Sequence, residues 1–327
     1  MRRLAVLIPL LPLLAPAQNV KVNGGALKLF RPLPVVVSSD ANPITEAKAG
    51  LGRKLYFETR LSRNRDVSCN TCHPLDRYGA DGAAVSTGHQ GQKGTRNSPT
   101  VYNAAGHLAQ FWDGRAATIE EQAKGPVLNP VEMAMRSPAD VAAALKAVPE
   151  YPALFRHAFP GEADPVTFDN VARAIGAFER RLITPGRWDR FLKGDQTALT
   201  GAEKAGFNKF VESGCAACHY GPYVGGNAFQ KVGMVHPWPN TADPGRQQVT
   251  GKESDRMLFK VPSLRNVTRT APYFHDGSGK TLAEAIRQMA SHQVGKNLAD
   301  GEIRSIAVWL ETLTGELPAG PIAPSGP

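Results

Sequence analysis

Cys69-Asn70-Thr71-Cys72-His73 and Cys215-Ala216-Ala217-Cys218-His219 decide how this chain is read. In C-x-x-C-H the two thiols are spaced to form thioethers to a porphyrin, and the histidine beside them is placed to ligate its iron, so each motif signals one covalently bound haem c. The competing reading joins the two cysteine pairs into one zinc site with four thiolates. Zinc gives no reason for a histidine after the second cysteine in both copies, so two haems are expected. The motifs use all 4 cysteines of the chain, which leaves none for a disulfide framework.

Around these anchors lie 327 residues of 42% hydrophobic composition, enough for one large core or two medium ones. Arg2-Arg3, the apolar run from Leu4 to Leu14 and then Ala15-Pro16-Ala17 have the layout of a secretory signal peptide, so residues 1–17 are expected to be removed. That run is too short for a permanent span, and no other stretch could cross a membrane. Haem c attachment in bacteria takes place outside the cytoplasmic membrane, and a periplasmic protein follows. The formal charge of +9 becomes +7 once Arg2 and Arg3 leave, and four haem propionates reduce it further. No basic stripe interleaved with aromatics is present, so nucleic acid is not an expected partner.

The pattern along the chain is helical. Ala41 to Phe57 reads as a helix leading to the first motif, and residues 77–98, with Gly79, Gly82, Gly88, Gly91 and Gly94, as a long mobile loop. Ser137-Pro138 reads as an N-cap and first-turn proline for a helix ending near Pro149. Phe168, Val171, Ile175, Phe178 and Leu182 give an amphipathic helix over 165–183, and Thr184-Pro185-Gly186 breaks it. Gly201 to Glu212 and a segment with Ile303, Ile306, Leu310 and Leu313 supply two more, with no convincing strands. The fold class expected is mainly α: two tandem cytochrome c-like haem domains over 18–184 and 185–320, with 321–327 a frayed tail.

Sliding the halves by 163 residues matches Pro99 to Gln122 with Pro262 to Ala285 without a gap. Pro99/Pro262, Asn103/Asn266, Phe111/Phe274, Asp113-Gly114/Asp276-Gly277, Thr118/Thr281 and Glu121/Glu284 are identical, which reads as a duplicated haem domain. The same register sets Met289 against Pro126. Methionine sulfur can fill a sixth iron position and raise the potential, whereas proline offers no ligand. The second haem is thus expected to be a closed His219/Met289 centre and the first, with His73 on one face, an open one. Met257 and Met234 remain rivals to Met289.

With these residues in view, the chain resembles the bacterial dihaem cytochrome c peroxidases. The resemblance rests on Ser68-Cys69-Asn70-Thr71-Cys72-His73, Arg96-Asn97-Ser98-Pro99-Thr100, Gln110-Phe111-Trp112-Asp113-Gly114-Arg115-Ala116, Glu121-Gln122-Ala123-Lys124-Gly125-Pro126 and Ala271-Pro272-Tyr273-Phe274-His275. It implies reduction of hydrogen peroxide to water at a low-potential N-terminal haem. Electrons from a small cytochrome c or a copper protein (cupredoxin) enter at the high-potential C-terminal haem. It implies that His89, in Gly88-His89-Gln90-Gly91, ligates the first haem at rest and leaves on activation, that Glu132 is the catalytic acid and base, that Gln122 lines the same pocket, and that Trp112 lies on the electron route. A calcium ion held by the Asn97 side chain and the Thr270 and Pro272 carbonyls, and a homodimer, are implied too. His107, His157, His236 and His292 read as surface or packing residues, and His275 as support for the haem surroundings. Two alternatives differ in their predictions: a methylamine-utilisation type of dihaem oxygenase, in which a tyrosine replaces the methionine ligand, and a dihaem electron carrier with two closed haems.

Overall fold

The computed structural model describes residues 20–318, so the expected leader and the tail at 321–327 lie outside the described residues. Helices dominate, as expected. Glu46–Tyr56 begins at Thr45, whose hydroxyl accepts the Lys48 amide, later than the expected start at Ala41 because Asn42-Pro43 precedes the cap. Phe168–Glu179 is capped in the same way by Thr167, and Gly201–Glu212 by a Thr200/Glu203 capping box. Pro138–Lys146 starts at Ser137 as its sequence signals. Glu150–Ala158 and Arg187–Leu192 are helices not anticipated from the sequence pattern. The expectation of no strands also needs correcting: Phe229–Lys231 and Leu258–Lys260 pair antiparallel, with Gln230 opposite Phe259.

Two helix pairs carry the architecture. Glu46–Tyr56 packs along Phe168–Glu179, and Gly201–Glu212 along Asp300–Glu311. Each pair crosses at a glycine. A Cβ on Gly52 would lie 1.8 Å from the Ala174 carbonyl oxygen, and one on Gly206 would lie 2.2 Å from the Ser305 carbonyl oxygen. Only hydrogen fits there, so the backbones touch and the long apolar side chains close around the crossing. One core holds Leu51, Leu55, Val141, Leu145, Phe155, Val171 and Ile175. The other holds Trp188, Phe207, Phe210, Ile306, Trp309 and Leu313, and takes in Phe30 from the lead segment. Each buried aromatic of this size contributes about 2 kcal/mol or more of apolar transfer free energy.

The segments matched at an offset of 163 trace the same backbone figure. Asn103 and Asn266 both sit at left-handed φ (64° and 60°), as do Phe111 and Phe274 (66° and 72°) and Gly114 and Gly277 (68° and 65°). The bridges Gln110–Ala116 and Tyr273–Gly279 fall at the same register. Thr118 and Thr281 then cap the helices Ile119–Leu128 and Leu282–Gln288. The two asparagines meet on one hydroxyl: Asn103 Nδ2 and Asn266 Nδ2 donate to Thr184 Oγ1 at 2.8 and 2.9 Å. All three residues are fully buried. The break between halves is thereby a polar joint satisfied from both sides. A second offset, 131, joins the two long helices: Ala174 with Ser305, Ile175 with Ile306, Glu179 with Leu310, Leu182 with Leu313.

Candidate active site: two haem-binding walls of one cavity

A cavity of about 910 Å³ runs between the halves, and its wall includes Cys69, Cys72 and His73 on one side and Cys215, Cys218 and His219 on the other. Ser68 caps the one-turn helix Cys69–Cys72, its amide donating to Thr71 Oγ1 at 3.0 Å. In the second motif Gly214, at φ 90°, turns the chain into the 3-10 helix Cys215–Ala217. Both turns end alike, with His73 N donating to Cys69 O (2.9 Å) and His219 N to Cys215 O (3.0 Å). His73 Nδ1 lies 3.3 Å from Gly79 O, and His219 Nδ1 lies 3.3 Å from Val224 O. A carbonyl acceptor fixes the proton on Nδ1, which leaves each Nε2 lone pair free for a metal. Burial pushes both rings toward the neutral form, His219 to about 4. These residues fit two haems. They do not fit one zinc: among the described residues no cluster of three or more His, Cys, Asp or Glu side chains could hold a metal ion.

The sixth-position candidates separate. Met289 lines the cavity, whereas the rival Met257 is buried behind the wall in the apolar cluster against which Met289 packs, and Met234 is 56% exposed. Met289 follows Leu282–Gln288 and opens a π-type turn, Met289–Gln293, a widening that occurs often at functional positions. Its counterpart Pro126 lies inside Ile119–Leu128, on the wall of the same cavity.

Gln122, Glu132 and Trp112 all line the cavity. Glu132 Oε1 accepts from Asn129 Nδ2 at 2.7 Å. Burial raises its carboxyl above the usual glutamate range, against the opposing effects of Arg115 and the Asn129 bond. Trp112 Nε1 donates to Asn97 O at 2.8 Å, and its ring meets its repeat counterpart His275 edge-on at 6.4 Å. His89 is buried but is not on the cavity wall; its neighbour Gly88 is. The His89 amide lies 3.0 Å from Val131 O and 2.8 Å from Glu132 O, so the histidine loop is docked on the backbone of the glutamate segment. Its Nδ1 has no partner. Asn97 Nδ2 donates to Ala83 O at 2.9 Å, which leaves Oδ1 for a cation, and Thr270 and Pro272 line the same cavity. That donor set suits a hard cation such as calcium.

Three features were not singled out in the sequence. Arg96 joins the halves by donating to Asp243 at 2.6 and 2.8 Å and to Asp113. Glu179 is 3% exposed on the cavity wall with Oε2 unpartnered. Burial, with Glu120 adding to it and Arg180 opposing, raises its carboxyl to about 8. Lys260 and His107 face the cavity as a pair. His107, expected as a surface or packing residue, is half-buried and packs edge-on to Tyr223. His157 and His236 are exposed and His292 is half-buried.

The family model for di-haem cytochrome c peroxidase matches residues 46–197. The cytochrome c551 peroxidase of Pseudomonas aeruginosa is 45% identical over 92% of this chain and 89% of its own length. That of Nitrosomonas europaea is 44% identical, covering 87% and 85%. A methylamine utilization protein MauG, from Methylorubrum extorquens, is 35% identical over 88% of this chain and 84% of its own. Among solved structures, a MauG-like protein associated with microbial copper homeostasis matches with TM-score 0.77 and 30% identity, covering 89% of this chain and 96% of that one. The diheme peroxidase BthA from Burkholderia thailandensis shares the fold at TM-score 0.69 and 19% identity, over 87% and 93%. No described helix is long and apolar enough to cross a membrane. With relatives named cytochrome c peroxidase at 40–45% identity over most of its length, the chain belongs to the dihaem cytochrome c peroxidase family, an oxidoreductase of that class with haem as its cofactor.

Proposed function

We propose that this protein is a periplasmic hydrogen peroxide reductase assembled from two duplicated haem domains. Cys69 and Cys72 hold one haem c, Cys215 and Cys218 the other, with His73 and His219 as the respective iron ligands. A small cytochrome c or a cupredoxin delivers electrons at the His219/Met289 side, and Trp112 lies on their route to the His73 side. When bound, the haem at His73 supplies the redox centre that takes two electrons to peroxide. The asymmetry of the cavity supports this reading: Met289 lines its wall where the repeat sets Pro126 in the first half, and Gln122 and a half-buried Glu132 line the same cavity.

The chain itself handles protons and access. Glu132, ionised, takes a proton from the near oxygen of hydrogen peroxide and returns it to the far one, which leaves as water. Two electrons and two protons complete the conversion to two waters. Asn129 holds one carboxylate oxygen in place, and Gln122 offers an amide within the same pocket. The His89 loop ligates at rest and swings away on activation; with His89 off the cavity wall it is docked on the Val131–Glu132 backbone, so its movement and the glutamate's setting are linked. Asn97, Thr270 and Pro272 hold calcium between the halves, and the enzyme works as a homodimer. Met289, in place of tyrosine, sets it apart from the methylamine-utilisation type.

Glu132→Gln tests the assignment. Turnover of the half-reduced enzyme with a reduced small cytochrome should fall about 10²- to 10⁴-fold with haem content unchanged. The wild type should consume two donor electrons per peroxide. Because burial raises the Glu132 carboxyl, activity should fall on acidification through a pH above the ordinary glutamate range, a limb missing from the variant. Near-normal turnover by Glu132→Gln would remove the residue from the mechanism.

A further inference from the structure

Lys260 is 8% exposed on the second strand, its amide held by the Trp112 carbonyl at 2.8 Å. Its ammonium has no acidic partner; its hydrogen-bond partner is His107 Nδ1, at 3.2 Å. The other cations shielded at the cavity wall are neutralised, the buried Arg265 by Asp189 and the half-buried Arg96 by Asp113 and Asp243. Lys93 and Lys231 are exposed. The His107 ring is fixed in place, edge-on to Tyr223 at 5.3 Å and against Gly226, where a Cβ would lie 2.4 Å from the imidazole. An ammonium can only donate, so Nδ1 accepts and the ring proton sits on Nε2. That Nε2 is buried and has no partner.

A buried ammonium and a buried N–H donor, side by side on one cavity wall, call for a common acceptor that carries negative charge. Burial lowers the Lys260 amine to about 8 and drives His107 well below its usual value, so near neutral pH the pair holds about one positive charge. One carboxylate meets both requirements. Each haem brings two.

We propose that Lys260 and His107 form the binding site for one haem propionate, and that the Lys260 charge raises the reduction potential of that haem. The proposal rests on the two-haem reading of the cavity, and haem content keeps the two questions apart: a purified chain without covalent haem would defeat that reading, whereas the points below concern protein that carries both. Spectroelectrochemical titration of the dihaem Lys260→Gln variant should show the reduced-to-oxidised ratio of one haem at fixed potential falling about tenfold, or 59 mV for a one-electron couple, with the other haem less affected. Lys260→Arg should restore most of it. Unchanged ratios for both haems would overturn the proposal, as would a potential that tracks acetate concentration in the buffer, since the site would then serve a diffusible anion. Should Lys260→Gln fail to accumulate, the wild type decides: its propionate-bending Raman bands should shift between H2O and D2O relative to His107→Phe, and identical bands would refute the contact.

Discussion

Glu179→Leu should make the protein more stable, by an amount that grows with pH. The position is 3% exposed, Oε2 has no partner, and the second half places Leu310 at the equivalent point of its own long helix. Burial raises the folded carboxyl to about 8 from a starting value of 4.5. The native state therefore keeps a proton that the unfolded chain releases between those two values, and stability must fall as pH rises through that window. At 1.36 kcal/mol per pH unit, the cost is about 3 kcal/mol at pH 7, nears 5 kcal/mol by pH 8 and is absent below pH 4.5. The assay is the difference in melting temperature between wild type and variant from pH 4.5 to 8.5, at about 2 °C per kcal/mol for a chain of this size. The difference should widen steadily across the window and level off above it. Glu179→Gln, which keeps the shape without the charge, should show the same slope, so that packing gains and charge removal are told apart. A difference independent of pH would show that Glu179 titrates like an exposed carboxyl, and the argument from its burial would fail.

Three further outcomes follow from the site. His89→Gly should already show an open N-terminal haem in oxidised-state spectra, and an unchanged six-coordinate low-spin spectrum would count against the loop ligand. Met289→Ala should lower the potential of the second haem and alter its ligation spectrum, leaving haem content intact; a silent substitution would reopen the choice among the methionines. Removing calcium with a chelator should lower the melting temperature of the wild type, and Asn97→Ala should show the lower value at the outset, since Asn97 Oδ1 is the side-chain donor left free at that site.

What the sequence disclosed was what covalent chemistry or periodicity forces to be contiguous. A thioether pair and its ligand must lie within five residues, so both motifs stand out in the chain, and helices with strong caps such as Gly201–Glu212 were legible too. The three-residue strands were not, because their pairing is set by contacts across the chain and no alternation develops over that length. Glu179 could have been found. It lies four residues after Ile175 on the apolar stripe of its own helix, where a carboxylate breaks the pattern. Lys260 and His107 could not, being 153 residues apart with no motif around either. The left-handed φ of Asn103 and Asn266 is likewise explained only by Thr184, which both side chains must reach.

The repeated figure and the differing positions perform separate tasks. Where the halves agree, the residues build: Gly52 and Gly206 let helices touch, and Asn103 and Asn266 share the Thr184 hydroxyl. At four of the positions where the halves differ, both members line the one cavity: Pro126 and Met289, Glu179 and Leu310, Trp112 and His275, Asn97 and Lys260. Two identical haem sites would hold electrons at similar potentials and give peroxide no open face to enter. On the proposed two-haem reading, each of these differences would move one haem environment away from the other: a sulfur donor on one side, a neutral buried acid on the other, and an internal ammonium where the first half has an amide that leaves an oxygen free for a cation. The shared scaffold sets Trp112 edge-on to His275 where the halves meet, and on the proposed reading the differences act across that contact. A reading that assigned catalysis to the repeated residues would expect exchange of Pro126 and Met289 to be harmless. The asymmetric reading requires that exchange to close the reactive side and end turnover while the fold persists.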